Sequence, residues 1–332
     1  MTDSPTFHET AGVNGRFRIG WLGFHVEGLP TLEAVLASGY PLKAVITLHD
    51  EERNRRSGGM DYGPICERFG TPVYKIRNIN DQSSIELLAS LNLDFLFVIG
   101  WSQIVKREAL SSVRIGMIGA HASMLPKNKG SAPINWALIK GDTEAGNTLL
   151  WLDEGVDAGR IIDQMPIPIS EFDTCATVYG KVAASNREMI LKLIPRLLSG
   201  EVPGAPQPVL YEQILPRRRP ADGLIEWPRK GAEIYNFIRA LTRPYPGAFT
   251  FLDGKRWTVW QAARLPLANL LTSQVGEIIG PVISPLEEAC GLLVGCGAGA
   301  IILLEIESEG GELLNGKDLA NLPWLGKVFS NA

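Results

Sequence analysis

The run LDFLFVIG at residues 93–100 is nearly all apolar, and it limits the fold more than any other feature of the chain. A strand with water on one side alternates polar and apolar residues, whereas a strand that is apolar on both sides must be covered on both faces. The same half of the chain holds FRIGWLGF (17–24), LKAVITL (42–48) and TPVYKI (71–76), which read as further strands. Between them LPTLEAVLASG (29–39), DYGPICERFG (61–70) and SSIELLASL (83–91) read as helices, the first ending at a glycine. Strands alternating with helices belong to a mainly parallel sheet with right-handed crossovers, and a ligand sits outside the carboxyl ends of such strands. The expected fold is therefore α/β, a Rossmann-like sheet domain. No G-x-G-x-x-G opens the first helix, because GWLGFHVEG has the wrong spacing, so no dinucleotide cofactor is expected.

The chain changes character at residues 199–222, SGEVPGAPQPVLYEQILPRRRPAD, a stretch dense in proline and basic residues. Beyond it GAEIYNFIRALT (231–242) is helical, and AFTFLDGKRWTVWQAARL (248–265) reads as a hairpin turning at Asp253-Gly254. AIILLEIES (300–308) reads as a further strand. The expected organisation is a polar lead over 1–16, disordered or tag-like, an α/β domain over 17–205, and a smaller β-rich domain over 206–325. With 332 residues, 45% hydrophobic and 20% charged, the chain has room for both. Its net charge of −4 argues against a large nucleic-acid footprint. Cys66, Cys175, Cys290 and Cys296 form no C-x-x-C pair and no secretory signal precedes them, so reduced, buried thiols and a cytoplasmic location are expected. No apolar run reaches the length of a membrane span.

The chemistry concentrates in residues 115–162. His121 follows a small, apolar, strand-like run and precedes a polar loop rich in proline and glycine. Asp157 lies downstream in a turn, EGVDAG. An imidazole held by a carboxylate moves protons or donates to a developing oxyanion. His8, His25 and His49 show no metal-ligand spacing, and no metal is expected. Gly130 and Pro133 shape the loop beside the His. GWSQIV (100–105), just after the apolar strand, is placed equally for core or for a ligand pocket. The loop EERNRRSGGMDYG (51–63) carries Arg53, Arg55 and Arg56 beside two glycines. Guanidinium forks match phosphate oxygens, although a solvated charged loop is as good an account, as it is for Arg217, Arg218 and Arg219.

The pattern H-x-S-x-L-P-x-x-x-G-x-x-P-x-x-W-A-L-I-x-G-D-x-x-x-G-x-T-L-x-x-L-D-E-G-V-D-A-G-x-I-I, beginning at His121, resembles the core signature of the folate-dependent formyltransferases. That superfamily includes methionyl-tRNA formyltransferase, glycinamide ribonucleotide formyltransferase and the enzymes that formylate amino groups of nucleotide-linked sugars. LDFLFVIGWSQIV stands where the family has a pterin-lining strand and loop, and PADGLIEWPRKGAEIYNFIRALTRPYPGAF (220–249) looks like the family's C-terminal domain. The resemblance extends over roughly residues 17 to 320 and is closest in look to the sugar-directed members.

What the resemblance implies is transfer of a formyl group from 10-formyltetrahydrofolate, a co-substrate, to a primary amine of a small acceptor, with no metal. His121 would donate to the formyl oxygen, and Asp157 would hold His121 and relay the amine proton. Folate would sit against Ile99, Gly100, Trp101, Ile104, Leu152, Gly155 and Val156, and the acceptor near Ser123, Lys127, Gly130 and Pro133. The chain departs from the pattern at one place: the family's catalytic Asn, two positions before the His, is Gly119. Losing one oxyanion donor costs on the order of 3 kcal/mol. A backbone N–H, a water, or Ser102, Ser123 or Asn128 would have to replace it. The expected acceptor is an amino sugar carried on a nucleotide. Methionyl-tRNA is the alternative, disfavoured by the acidic balance and by the lack of a long basic insertion. A further alternative is a folate- or nucleotide-binding protein that has lost transfer. No membrane partner is expected, and a homodimer is compatible with the sheet edges.

Overall fold

Strands β1 (Ile19–Leu22), β2 (Leu42–Leu48), β3 (Val73–Ile76), β4 (Phe95–Val98) and β5 (Gly116–His121) form the parallel part of the first sheet. β6 (Glu144–Trp151) runs antiparallel to β5, and β7 (Ile161–Pro168) closes the order β3-β2-β1-β4-β5-β6-β7. The computed structural model describes residues 17–210, 213–265 and 273–331. The polar lead over 1–16 lies outside the described residues.

Alternation along these strands sends successive side chains to opposite faces, and both faces are dry. Ile19, Trp21, Val45, Phe95, Phe97 and Ile118 join one buried cluster. Leu22, Ala44, Ile46, Leu96, Val98 and Met117 join the other. The apolar runs of the sequence are thus apolar for two different cores. Helices α1 (Leu29–Ala37), α2 (Asp50–Asn54), α3 (Gly63–Arg68), α4 (Gln82–Leu91) and α5 (Arg107–Leu110) connect the strands.

Several elements carry no plain sequence signal. β6 buries Asn147 and Thr148 completely, so its pattern is not that of an apolar strand. Their donors are satisfied: Asn147 Nδ2 donates to Ser185 Oγ at 2.8 Å and to Asn186 Oδ1 at 2.6 Å, and Thr148 Oγ1 donates to the Ser123 carbonyl at 2.7 Å, while Asn147 Oδ1 has no partner among the described residues. β7 tolerates Pro166 and Pro168 because it lies at the sheet edge, where a missing N–H breaks no ladder. Helix α6 (Pro133–Lys140) follows β5, and α7 (Cys175–Leu198) follows β7. Met189, Ile190, Leu193, Ile194 and Leu197 recur at helical spacing along α7 and enter the first cluster.

The chain divides into two compact units. The first comprises residues up to Gly130, Gly146–Ile167 and Tyr179–Ile214, and the second Ser131–Ala145, Pro168–Val178 and the chain from Leu215. In the second unit, helix α8 (Gly231–Leu241) packs on α6, with Asn135 Nδ2 donating to the Ala240 carbonyl at 2.6 Å. β8 (Ala248–Leu252) and β9 (Lys255–Arg264) form the hairpin read from the sequence. Its two turn residues, Asp253 at φ +51° and Gly254 at φ +73°, adopt the left-handed values that suit a two-residue hairpin. β10 (Ile278–Val282), β11 (Gly291–Gly295) and β12 (Ala300–Ser308) complete the antiparallel order β10-β11-β12-β9-β8, and β13 (Leu313–Asn315) pairs with β12. The expected α/β sheet domain and β-rich C-terminal part are both present. Among the described residues, no helix is long and apolar enough to cross a membrane.

Candidate active site

The strand order reverses between β1 and β4, so the connections leaving these two neighbours run to opposite sides of the sheet. In an open α/β sheet this reversal leaves a crevice outside the carboxyl ends, where ligands bind. The residues that follow β1 and β4, together with the last residue of β5, line that end of the first unit. They are Phe24 and His25, then Ile99 to Ser102, then His121.

His121 ends β5 opposite Thr148 and is only 8% exposed. Its Nδ1 lies 3.6 Å from Asp157 Oδ2, and its Nε2 lies 2.9 Å from the Asn128 carbonyl oxygen. Both neighbours accept hydrogen bonds. A neutral imidazole has one N–H and serves one of them; serving both at once takes a doubly protonated ring. Asp157 Oδ2 also accepts the Gly130 N–H at 2.8 Å. Asp157 itself has φ +49°, a left-handed conformation that residues with a Cβ rarely adopt. The sequence-predicted pair is therefore brought together, and a third group, the Gly130 N–H, fixes the carboxylate.

The loop between β5 and α6 is held by its own backbone. Ser123 N donates to the His121 carbonyl and Ser123 Oγ to the Lys127 carbonyl, both at 2.8 Å. Ser123 is thereby committed to shaping the loop. Lys127 is exposed, and Gly130 takes φ +109° while donating to Asp157. Pro133 opens α6 and belongs to the second unit.

The residues expected to hold folate fall into two segments. In the first, Ile99 is wholly buried in the core, so only its backbone is available. Gly100 has φ +67°, and a Cβ there would stand 2.9 Å from His25 Cβ. Trp101 packs edge-on against Phe24 at 5.6 Å between ring centroids, and its buried Nε1 has no partner among the described residues. Ile104 is 68% exposed. In the second segment Leu152 packs against the same core cluster as Trp101, Gly155 N donates to Asp153 Oδ1 at 3.0 Å, and Val156 is 40% exposed. Arg107 Nε donates to Glu154 Oε1 at 2.5 Å and ties the two segments together. Two exposed aliphatic side chains and an unpartnered indole N–H suit a flat, heteroaromatic ligand with acceptor atoms. Desolvation raises the Asp153 carboxyl above its ordinary range, partly offset by the Gly155 N–H and Lys129.

Gly119 lies on the same face of β5 as Met117 and His121. A Cβ there would come 2.5 Å from Leu152 Cδ2 and 3.2 Å from Leu152 Cγ. The space that a side chain at 119 would enter is filled by Leu152. Of the candidate replacements, Ser102 accepts from Arg56 Nη1 at 2.8 Å, and Ser123 is occupied as described. Asn128 contributes its carbonyl to His121.

The three arginines of the 51–63 loop separate. Arg53 pairs with Asp50 at 2.8 Å and with Asp61 at 3.5 Å, and Arg55 pairs with Glu52 at 3.6 Å. Arg56 alone reaches the strand ends, bonded to Ser102 with its guanidinium 5.9 Å from the Phe24 ring centre. Sequence reasoning missed Gln207, whose Nε2 donates at 2.8 Å to the carbonyls of both Asp157 and Gly159. It sits in a proline-rich connector, and nothing local marks it out. Among the described residues, no group of three or more His, Cys, Asp or Glu could hold a metal ion.

The formyl transferase family model matches residues 37–194, and the model of the formyl transferase C-terminal domain matches residues 218–323. The chain belongs to the formyl transferase family. HypX from Aquifex aeolicus in complex with tetrahydrofolic acid superimposes with a TM-score of 0.63 at 17% identity, covering 91% of this chain and 46% of HypX. The chain thus spans just under half the length of HypX. WlaRD, a sugar 3N-formyl transferase solved in the presence of dTDP and 5-N-formyl-THF, gives 0.61 at 19% identity, covering 87% of this chain and 98% of WlaRD. An N-formyltransferase from Helicobacter canadensis in complex with folinic acid and dTDP-3-aminofucose gives 0.62 at 20% identity, with 86% and 98% covered. At these identities the likeness establishes the fold.

Proposed function

We propose that this chain transfers the formyl group of 10-formyltetrahydrofolate to the primary amine of a small acceptor, an amino sugar carried on a nucleotide. The observation that carries the proposal is the His121–Asp157 pair at the end of β5, its carboxylate fixed by the Gly130 N–H. The folate supplies the formyl carbon. Ile104, Val156 and the Trp101 indole would hold its ring between the two segments joined by Arg107 and Glu154. As the amine nitrogen bonds to that carbon, negative charge develops on the formyl oxygen, and His121 donates to it. Asp157 accepts, directly or through one water, the proton that the nitrogen must lose. The bond from carbon to the folate nitrogen then breaks, a proton goes to that nitrogen, and the products are a formamide and tetrahydrofolate.

Two things support a nucleotide-linked acceptor. Arg56 is held at the strand ends, where a phosphate would meet a guanidinium. WlaRD and the Helicobacter canadensis enzyme, 98% of whose lengths this chain covers, were solved with dTDP and with dTDP-3-aminofucose. The second reading, folate binding without transfer, is favoured by Gly119 and by the Asn128 carbonyl that takes the Nε2 position of His121.

The test is tetrahydrofolate release from 10-formyltetrahydrofolate with a panel of nucleotide-linked amino sugars, initiator methionyl-tRNA and a no-acceptor control. Turnover with one amino sugar, lost in His121→Ala by a hundredfold or more on the order expected for a general acid–base group, supports the proposal. Folate binding with silence across the panel supports the second reading. Turnover confined to methionyl-tRNA replaces the acceptor assignment.

A further inference from the structure

The turn that carries Asp157 is braced from outside its own hairpin, by the connector that follows α7. Three successive attachments tie residues 203–207 to it. Trp151 Nε1 donates to the Pro203 carbonyl at 2.6 Å. Ala205 and Ile161 exchange both of their backbone hydrogen bonds, each 2.8 Å. Gln207 Nε2 then donates to the carbonyls of Asp157 and Gly159, each 2.8 Å. Two carbonyl oxygens only accept, so the amide must turn its nitrogen toward them.

What Gln207 grips is a strained piece of chain. Asp157 has φ +49°, and a Cβ at Gly159 would lie 1.8 Å from the Trp151 carbonyl oxygen, so the return of the turn is as tight as a glycine allows. Left-handed residues other than glycine persist only where their surroundings over-determine them. The Asp157 carbonyl, whose direction follows that residue's ψ, and the Gly159 carbonyl two residues on are both held by one side-chain amide, 50 and 48 residues downstream. The conformation in turn decides where the Asp157 carboxylate points: at the Gly130 N–H and at His121 Nδ1.

We propose that Gln207 is a positioning residue for Asp157, so that the connector is part of the active-site scaffold as well as a link between units. This rests on the proposed role of Asp157. A merely structural brace would lower stability without selectively affecting turnover. Positioning predicts a change in the geometry and rate of the His121–Asp157 pair at nearly constant stability, because Gln207 is itself only partly buried.

The experiment uses the full chain with Gln207→Glu, which keeps the shape and removes both donors, and Gln207→Ala as a second variant. Each is made alone and in an Asp157→Asn background. Three readouts are compared: kcat and KM for formyl transfer, the thermal midpoint, and the imidazole 15N resonances of His121, assigned by their loss in His121→Ala. The expected result is a kcat lowered about ten- to a hundredfold, a folate KM within about twofold, and a thermal midpoint close to that of the parent. The His121 resonances move in the direction produced by Asp157→Asn, and the double variants lose nothing more than Asp157→Asn alone. Unchanged kcat and unchanged resonances in both variants overturn the proposal, as does an equal loss in both backgrounds. If the parent chain transfers formyl to no acceptor, the proposed function fails by itself. The resonances still decide the matter, since movement supports positioning and constancy refutes it.

Discussion

Placing the family's asparagine at position 119 would crowd the site before it could help it. Gly119 is outside the left-handed region, so the backbone accepts a side chain there; the obstacle is Leu152, with Cδ2 2.5 Å from the position of a new Cβ. That distance is far inside van der Waals contact, although the clashing atom is the end of a side chain that has rotamers to explore. Over-packing of this kind costs about 1–3 kcal/mol. Gly119→Ala should fall in that range, and Gly119→Asn at its upper end. Leu152→Ala alone removes a partly buried aliphatic group and should cost about 2 kcal/mol, near the low end for such truncations. If the two residues compete for one volume, Gly119→Asn with Leu152→Ala should be more stable than the summed single changes by about 1–3 kcal/mol. Denaturant melts of the parent and the four variants measure this directly. A Gly119→Ala protein within about 0.5 kcal/mol of the parent, or strictly additive singles, would refute the packing argument. The same series reads out catalysis. A restored amide donor is worth about a hundred- to a thousandfold in kcat where nothing has replaced it. A double variant no faster than Leu152→Ala would mean that another group already serves the oxyanion.

Two further outcomes follow from the geometry. Gly159→Ala should fail to accumulate as folded protein, because its Cβ would stand 1.8 Å from the Trp151 carbonyl oxygen, a backbone atom that cannot step aside; a soluble, cooperatively melting Gly159→Ala protein would count against the turn as described. The thiols should be inert when folded: all four cysteines are buried, and burial pushes Cys66 up to about 11 and Cys175 and Cys296 up to about 12. At pH 8 a disulfide reagent should label none of them rapidly in native protein and all four in denaturant. Above about pH 9 the unfolded chain releases these protons while the folded chain keeps them, so their contribution to stability is intact below that pH and falls as pH rises toward 11 and 12.

The α/β sheet, the hairpin at Asp253-Gly254 and the chemistry-bearing stretch around His121 were all legible in the sequence, and for a common reason: each is written in neighbouring residues. Apolar runs set strands buried on both faces, a two-residue turn needs left-handed backbone, and the motif holds its His and Asp at a spacing that the family resemblance recognises. β6 and α7 were not legible, because Asn147, Ser185 and Asn186 are polar residues that become tolerable inside only by bonding to one another across 38 and 39 positions. The same limit applies at the site. The residue types at 119, 121 and 157 belong to the sequence. That Leu152 fills the space above Gly119, that the Gly130 N–H steadies Asp157, and that Gln207 clamps its turn were decided by tertiary structure alone. Hydrogen bonds and excluded volume act between groups brought together by folding, and separation along the chain leaves them no local trace.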